Sequence, residues 1–109
     1  MLESILGSTS IERVLLFLFA REEGYPREIA RFFKTDLAPI QRQLIKLEIN
    51  GVLSSRLAGR TRLYSLNPRY AFKPELEGLL AKALDFTPLE ERERLLMNRR
   101  RSRRSGKPL

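Results

Sequence analysis

The side chains with the most chemistry to offer in this sequence are its 21 Lys and Arg residues, because none of its 109 residues is His or Cys. Without His the commonest general base and metal ligand is missing, and without Cys there is neither a disulfide framework nor a thiolate metal site. The 13 Asp and Glu residues fall mainly on expected helix faces at spacings suited to solvation. No nucleophile-base pair or metal-ligand set assembles from them, so neither an enzyme nor a bound metal or cofactor is expected. What a cation excess can do is meet a polyanion.

The formal net charge is +8, and its distribution matters more than its size. Residues 25–73 hold ten Lys or Arg against Glu28, Asp36 and Glu48, and residues 98–109 hold six with no acid. Residues 1–24 and 74–97 are both net acidic. Two basic regions around an acidic one suggest nucleic acid as the partner.

The length fits one domain plus tails, and 42% hydrophobic residues are ample for a packed core. The longest wholly apolar run, Val14 to Ala20, has seven residues, against the roughly 20 needed to cross a bilayer. Met1 to Gly7 shows no positive n-region and no cleavage pattern. A soluble, cytoplasmic chain is expected.

The elements that must position the cations are legible from period and punctuation. Thr9 with Glu12 has capping-box spacing and opens a helix in which Ile11, Val14, Leu15, Leu18 and Phe19 form a core stripe. Leu16 and Phe17 add apolar surface beyond it, to be buried deep within the monomer or, the reading favoured, to meet a second copy. Gly24 ends that helix, and Pro26 opens a brief second one carrying Ile29, Ala30 and Phe33. After a break at Lys34 and Thr35, Asp36 caps a third helix with Pro39 in its first turn. Leu37, Ile40, Leu44 and Leu47 point one side of it inward, leaving Pro39, Gln41, Arg42, Gln43 and Lys46 on the other. Asn50 and Gly51 stop it.

Beyond Gly51 the period becomes two. Val52 to Ala58 and Thr61 to Leu66 read as antiparallel strands joined by a Gly59-Arg60 turn. Tyr64 and Leu66 should face the core, with Arg56, Arg60 and Arg62 near the outer end, beyond reach of any core residue that might pair them. Asn67 and Pro68 break the chain. Leu76, Leu79, Leu80, Ala83 and Leu84 mark a fourth helix, and Thr87 with Pro88 and Glu90 can begin a fifth. Three helices, a hairpin, then one or two more helices is the α+β signature of a winged helix-turn-helix domain. The expected organisation is a winged-helix domain over 1–88, a helical extension over 89–97, and a basic disordered tail over 98–109.

The run from Ile40 through Leu44 to Gly51 has Leu47-Glu48 before Asn50-Gly51-Val52-Leu53, then Gly59 and Leu63-Tyr64-Ser65-Leu66-Asn67. It resembles small prokaryotic winged-helix regulators of the arsenical-resistance-repressor (ArsR) type, and especially the winged-helix modules found beside minimal nucleotidyltransferase domains. Gly7-Ser8, Tyr25-Pro26 and Gln41-Arg42 are similar to motifs of those modules, and the likeness spans roughly residues 5–84. It implies that residues 37–50 enter the DNA major groove and that residues 56–62 form the wing, against the backbone or in the minor groove. Arg42 and Gln41 then have the chemistry for base edges, Arg for guanine O6 and N7 and Gln for adenine N6 and N7. Gln43 and Pro39 would line the same edge, Arg60 would reach the minor groove or a phosphate, and Lys46, Arg56 and Arg62 would contact the backbone.

Metal-sensing members of that family use Cys and His, which this chain lacks. The paired acidic ligands of a nucleotidyltransferase are also missing. The expectation is therefore a homodimeric, sequence-specific transcriptional regulator of double-stranded DNA, dimerising through its first and fourth helices. The alternative is a winged-helix protein-docking module, with Ile45, Ile49 and the first helix as its contact surface. Single-stranded RNA ranks third, for want of an aromatic stacking surface.

Overall fold

A computed structural model describes residues 1–97; the basic stretch from Asn98 to Leu109 lies outside the described residues. The chain order is α1 (Glu3–Leu6), α2 (Thr9–Arg21), α3 (Pro26–Phe33), α4 (Leu37–Ile49), β1 (Leu53–Ala58), β2 (Thr61–Leu66), α5 (Lys73–Asp85) and α6 (Leu89–Met97). This is the expected α+β winged helix-turn-helix. A short extra helix, α1, precedes the first expected one. Among the described residues no helix is long and apolar enough to cross a membrane.

The fold is organised around α2, which packs against α1, α3, α4, α5, α6 and β2. Its composition explains that position. Val14, Leu15, Leu16, Phe17, Leu18 and Ala20 are all buried, so the helix is apolar around most of its circumference, as a helix enclosed by others must be. The expected use of Leu16 and Phe17 as a contact for a second copy is thereby corrected. Phe17 is instead met edge-on by Phe32 and Phe33, with ring centroids 5.7 and 6.5 Å away.

Two details of capping also differ from expectation. Ser8, not Thr9, caps α2 by accepting a hydrogen bond from the Ile11 amide at 3.0 Å. Glu12 is thus one residue too late for a capping box, and its carboxylate accepts from the Leu2 amide at 2.9 Å, tying α1 to α2. At the other end the chain leaves α2 through Glu22 at φ 77°, not through Gly24.

Gly24 serves a different purpose, in that its backbone exchanges two hydrogen bonds with Tyr64, at 3.0 and 2.8 Å, making it a one-residue third strand beside β2. A Cβ built there would lie 2.6 Å from Phe17 Cε1, so only glycine lets the backbone come this close to the ring. Gly24→Ala is expected to cost about 1 to 3 kcal/mol through overpacking. Gly78→Ala should act in the opposite direction. A Cβ there meets nothing within 4 Å, so the change should add about 0.5 to 1 kcal/mol by restoring helix propensity inside α5. Urea unfolding of the two variants checks both signs.

α6 joins the core through Leu95, which is fully buried. The buried Arg21 holds it there, donating from Nε to the Leu95 carbonyl at 3.1 Å and from Nη2 to the Arg94 carbonyl at 3.0 Å. These two bonds tie α6 to the C-terminal end of α2. Arg21 and Arg94 also lie over the Phe32 ring, at 5.2 and 4.4 Å from its centroid.

Candidate nucleic-acid interface

The second and third helices of the winged helix, α3 and α4, are joined by Lys34 to Asp36. Lys34 takes a left-handed conformation at φ 55°, and its amide bonds back to the Arg31 carbonyl at 3.2 Å. Pro26 occupies the first turn of α3, and the Glu28 carboxylate accepts from the Tyr25 amide at 3.3 Å. These devices start and end α3; Asp36 stands at the N-cap position of α4 but, contrary to expectation, makes no side-chain capping hydrogen bond. Ile40 and Leu44 are fully buried, with Leu37 and Leu47 packed beside them, as their spacing predicts.

That inward stripe determines which side chains α4 can offer. Gln41, Arg42, Ile45, Lys46 and Ile49 are exposed, Pro39 and Gln43 half-buried. Gln43 leans furthest from its expected role, because its Oε1 is buried without a hydrogen-bond partner among the described residues. One turn of helix separates Arg42 from Lys46, so their charges share one side.

The wing is a hairpin in the register Leu53↔Leu66, Ser55↔Tyr64 and Leu57↔Arg62. Gly59 has φ 65° and Arg60 does not have a positive φ. A positive φ at the first central residue alone is the pattern of a II′ turn, which suits the twist of a two-residue hairpin and favours glycine there. The turn leaves Arg60 exposed at the tip. Tyr64 and Leu63 are both buried; Tyr64 belongs to the core cluster, and the Gly24 backbone pairs with it along the edge of β2. Burial pushes the Tyr64 phenol pKa up and the Glu48 carboxylate adds to the shift, against the opposing Arg62 cation; the phenol is neutral at physiological pH.

The three wing arginines are not equivalent. Arg56, expected to lack a core partner, is corrected: its Nη2 donates to both oxygens of the buried Glu23 carboxylate at 3.0 and 3.2 Å. The bend that follows α2 places Glu23 under the strand, where a sequence separation of 33 residues hides the pair. Arg62 donates to Ser55 Oγ at 2.8 Å, and Ser55 Oγ donates to Glu48 Oε2 at 2.6 Å. This relay fastens the wing to the C-terminal half of α4. Among the described residues, the side chains of Arg42, Lys46 and Arg60 enter no ion pair or hydrogen bond.

Between helix and wing lies a cleft of about 300 Å³ lined by Tyr25, Pro26, Arg27, Leu37, Gln41, Arg60, Thr61 and Arg62. A neighbouring depression of about 390 Å³ is lined by Arg27, Ala30, Arg31, Lys34, Thr35 and Leu37. Arg27 and Leu37 border both, so the cations of α3 and of the wing tip share one continuous face. Sequence reasoning passed over Arg27 and Arg31; their i, i+4 spacing on a short amphipathic helix was the available signal. Among the described residues no group of three or more His, Cys, Asp or Glu could hold a metal ion.

No protein-family model matches the chain, and no curated protein matches its sequence. Among solved structures, the chain is similar to a double mutant of Lactococcus lactis ZitR in its apo form. The two are 23% identical over 80% of this chain and 74% of that chain, with a TM-score of 0.49.

Proposed function

We propose that the chain is a sequence-specific reader of double-stranded DNA, acting as a homodimeric transcriptional regulator in the cytoplasm. The observation that carries this reading is the pair Arg42 and Lys46 on the outward side of α4, without a partner among the described residues, beside a wing whose tip holds Arg60, likewise without one. In this arrangement α4 lies in the major groove and α3 crosses the backbone with Arg27 and Arg31 toward phosphates. Arg42 addresses a guanine and Gln41 an adenine. Lys46 and Arg60 bind phosphate or, for Arg60, the minor groove. Arg56 and Arg62 contribute less than free cations would, since each is already engaged within the chain. Gln43 and Pro39 serve mainly to seat the helix.

Because α2 is enclosed, the dimer contact falls to α6 and the end of α5, where Phe86, at the C-cap of α5, and Leu89 and Met97 of α6 are more than half exposed. A two-fold pair of α4 helices calls for half-sites about 34 to 36 Å apart. Footprinting should show two protected stretches at that spacing; one unbroken or randomly placed stretch would contradict the dimer.

Salt dependence tests the phosphate contacts. The logarithm of affinity should fall linearly with that of salt concentration, with a slope of about −0.9 per phosphate neutralised. Lys46→Ala should reduce that slope by about one contact and weaken all duplexes alike. Fluorescence anisotropy over a salt series measures it, and an unchanged slope would remove Lys46 from the interface.

A further inference from the structure

Two isoleucines stand on α4 where a solvated helix would carry polar side chains. Ile45 is 50% exposed and Ile49 78% exposed. They lie four residues apart and so occupy one side of the helix, away from the buried Ile40 and Leu44. Arg42 precedes Ile45 by three residues and Lys46 follows it, so the apolar strip runs alongside two cations that have no partner among the described residues. Local packing does not account for the strip, because α4 already has a complete buried stripe.

We propose that Ile45, extended by Ile49, reads the C5-methyl groups of thymine in the major groove, beside the base addressed by Arg42. This rests on the reading of α4 as the recognition helix and adds the base that its apolar residues select. In the major groove, thymine alone presents a methyl group among hydrogen-bonding edges, and apolar side chains contact it. The charges around the strip favour DNA over a second copy of the chain. A two-fold contact on this face would set Arg42 and Lys46 against their own counterparts, whereas the groove is walled by phosphates. The dimensions also agree. A rise of about 1.5 Å per residue puts Ile45 about 4.5 Å along the helix from Arg42, comparable with the spacing of about 3.4 Å between successive bases on a strand. The selected half-site should therefore carry thymine one or two base pairs from the guanine at Arg42.

The test starts from a duplex enriched from a random pool by the full chain. Each thymine of the half-site is replaced in turn by deoxyuridine, which removes the methyl group and keeps the pairing edge. Wild type should lose about fourfold in affinity at one or two positions, the effect of one buried methyl-sized group. Ile45→Ala should bind the thymine and deoxyuridine duplexes equally at those positions, while melting at the wild-type temperature as expected for a half-exposed site. If no replacement changes wild-type affinity, or if Ile45→Ala keeps the wild-type preference, the methyl-reading role is overturned and the DNA-binding reading stands. A pool from which no duplex is enriched overturns the underlying reading, and this one with it.

Discussion

Phe17→Ala is expected to lower the free energy of unfolding by about 3 to 5 kcal/mol, in the range for removing a buried aromatic side chain. Phe17 is fully buried in the middle of α2, the helix that most other elements touch. Its ring meets Phe32 and Phe33 edge-on, contacts each worth about 0.5 to 1.5 kcal/mol beyond area burial. Arg21 also sits 4.8 Å above it, so truncation loosens the residue that holds α6. Domains of this size have about 5 to 15 kcal/mol in total, and the variant should be partly unfolded near 37 °C. Urea denaturation of wild type and variant measures the difference. A loss below about 1 kcal/mol would mean that α2 is not the enclosed centre described here.

Arg42→Ala should leave the melting temperature unchanged, because the side chain is exposed and enters no ion pair or hydrogen bond among the described residues. Its effect belongs to recognition, where losing a bidentate guanine contact costs about 1 to 3 kcal/mol, or roughly 5- to 150-fold in affinity for the preferred duplex. Preference should relax at one base pair of each half-site while nonspecific binding persists. Arg60→Ala, at the wing tip, should instead weaken binding to all sequences if its contact is a phosphate. A uniform loss from Arg42→Ala would reassign that residue to the backbone. The two variants therefore separate reading from holding, and neither confounds binding with folding as Phe17→Ala does.

Much of the frame was legible because it depends on local rules. The stripe Leu37, Ile40, Leu44 and Leu47 oriented α4. The two-residue Gly59-Arg60 turn set the hairpin, and Pro26 marked the start of α3. Each of these signals lies within a few residues of its effect. Relations between distant segments were not legible. Arg56 belongs to Glu23, Arg21 binds carbonyls of α6, and Gly24 is glycine because Phe17 leaves no room for a Cβ; none has a periodic trace. The apolar excess of α2 illustrates the same limit. Periodicity shows that Leu16 and Phe17 lie outside the main stripe, but what covers them depends on where α3 and α6 return. In the candidate interface, residue type and helix side picked out Arg42, Lys46 and Arg60, whereas Arg27 and Arg31 joined them only once α3 was placed against α4.

The central claim is that α4 and the wing read DNA sequence. It is tested most directly by selection from a random duplex pool, at two salt concentrations, with wild type and the Arg42→Ala, Arg60→Ala double variant. Wild type should enrich a defined site at both concentrations, and the double variant should enrich it far less, with no preference left at the base pair addressed by Arg42. Sequence-blind binding that weakens with salt, is the same in both proteins and is lost when residues 98–109 are removed would contradict the claim.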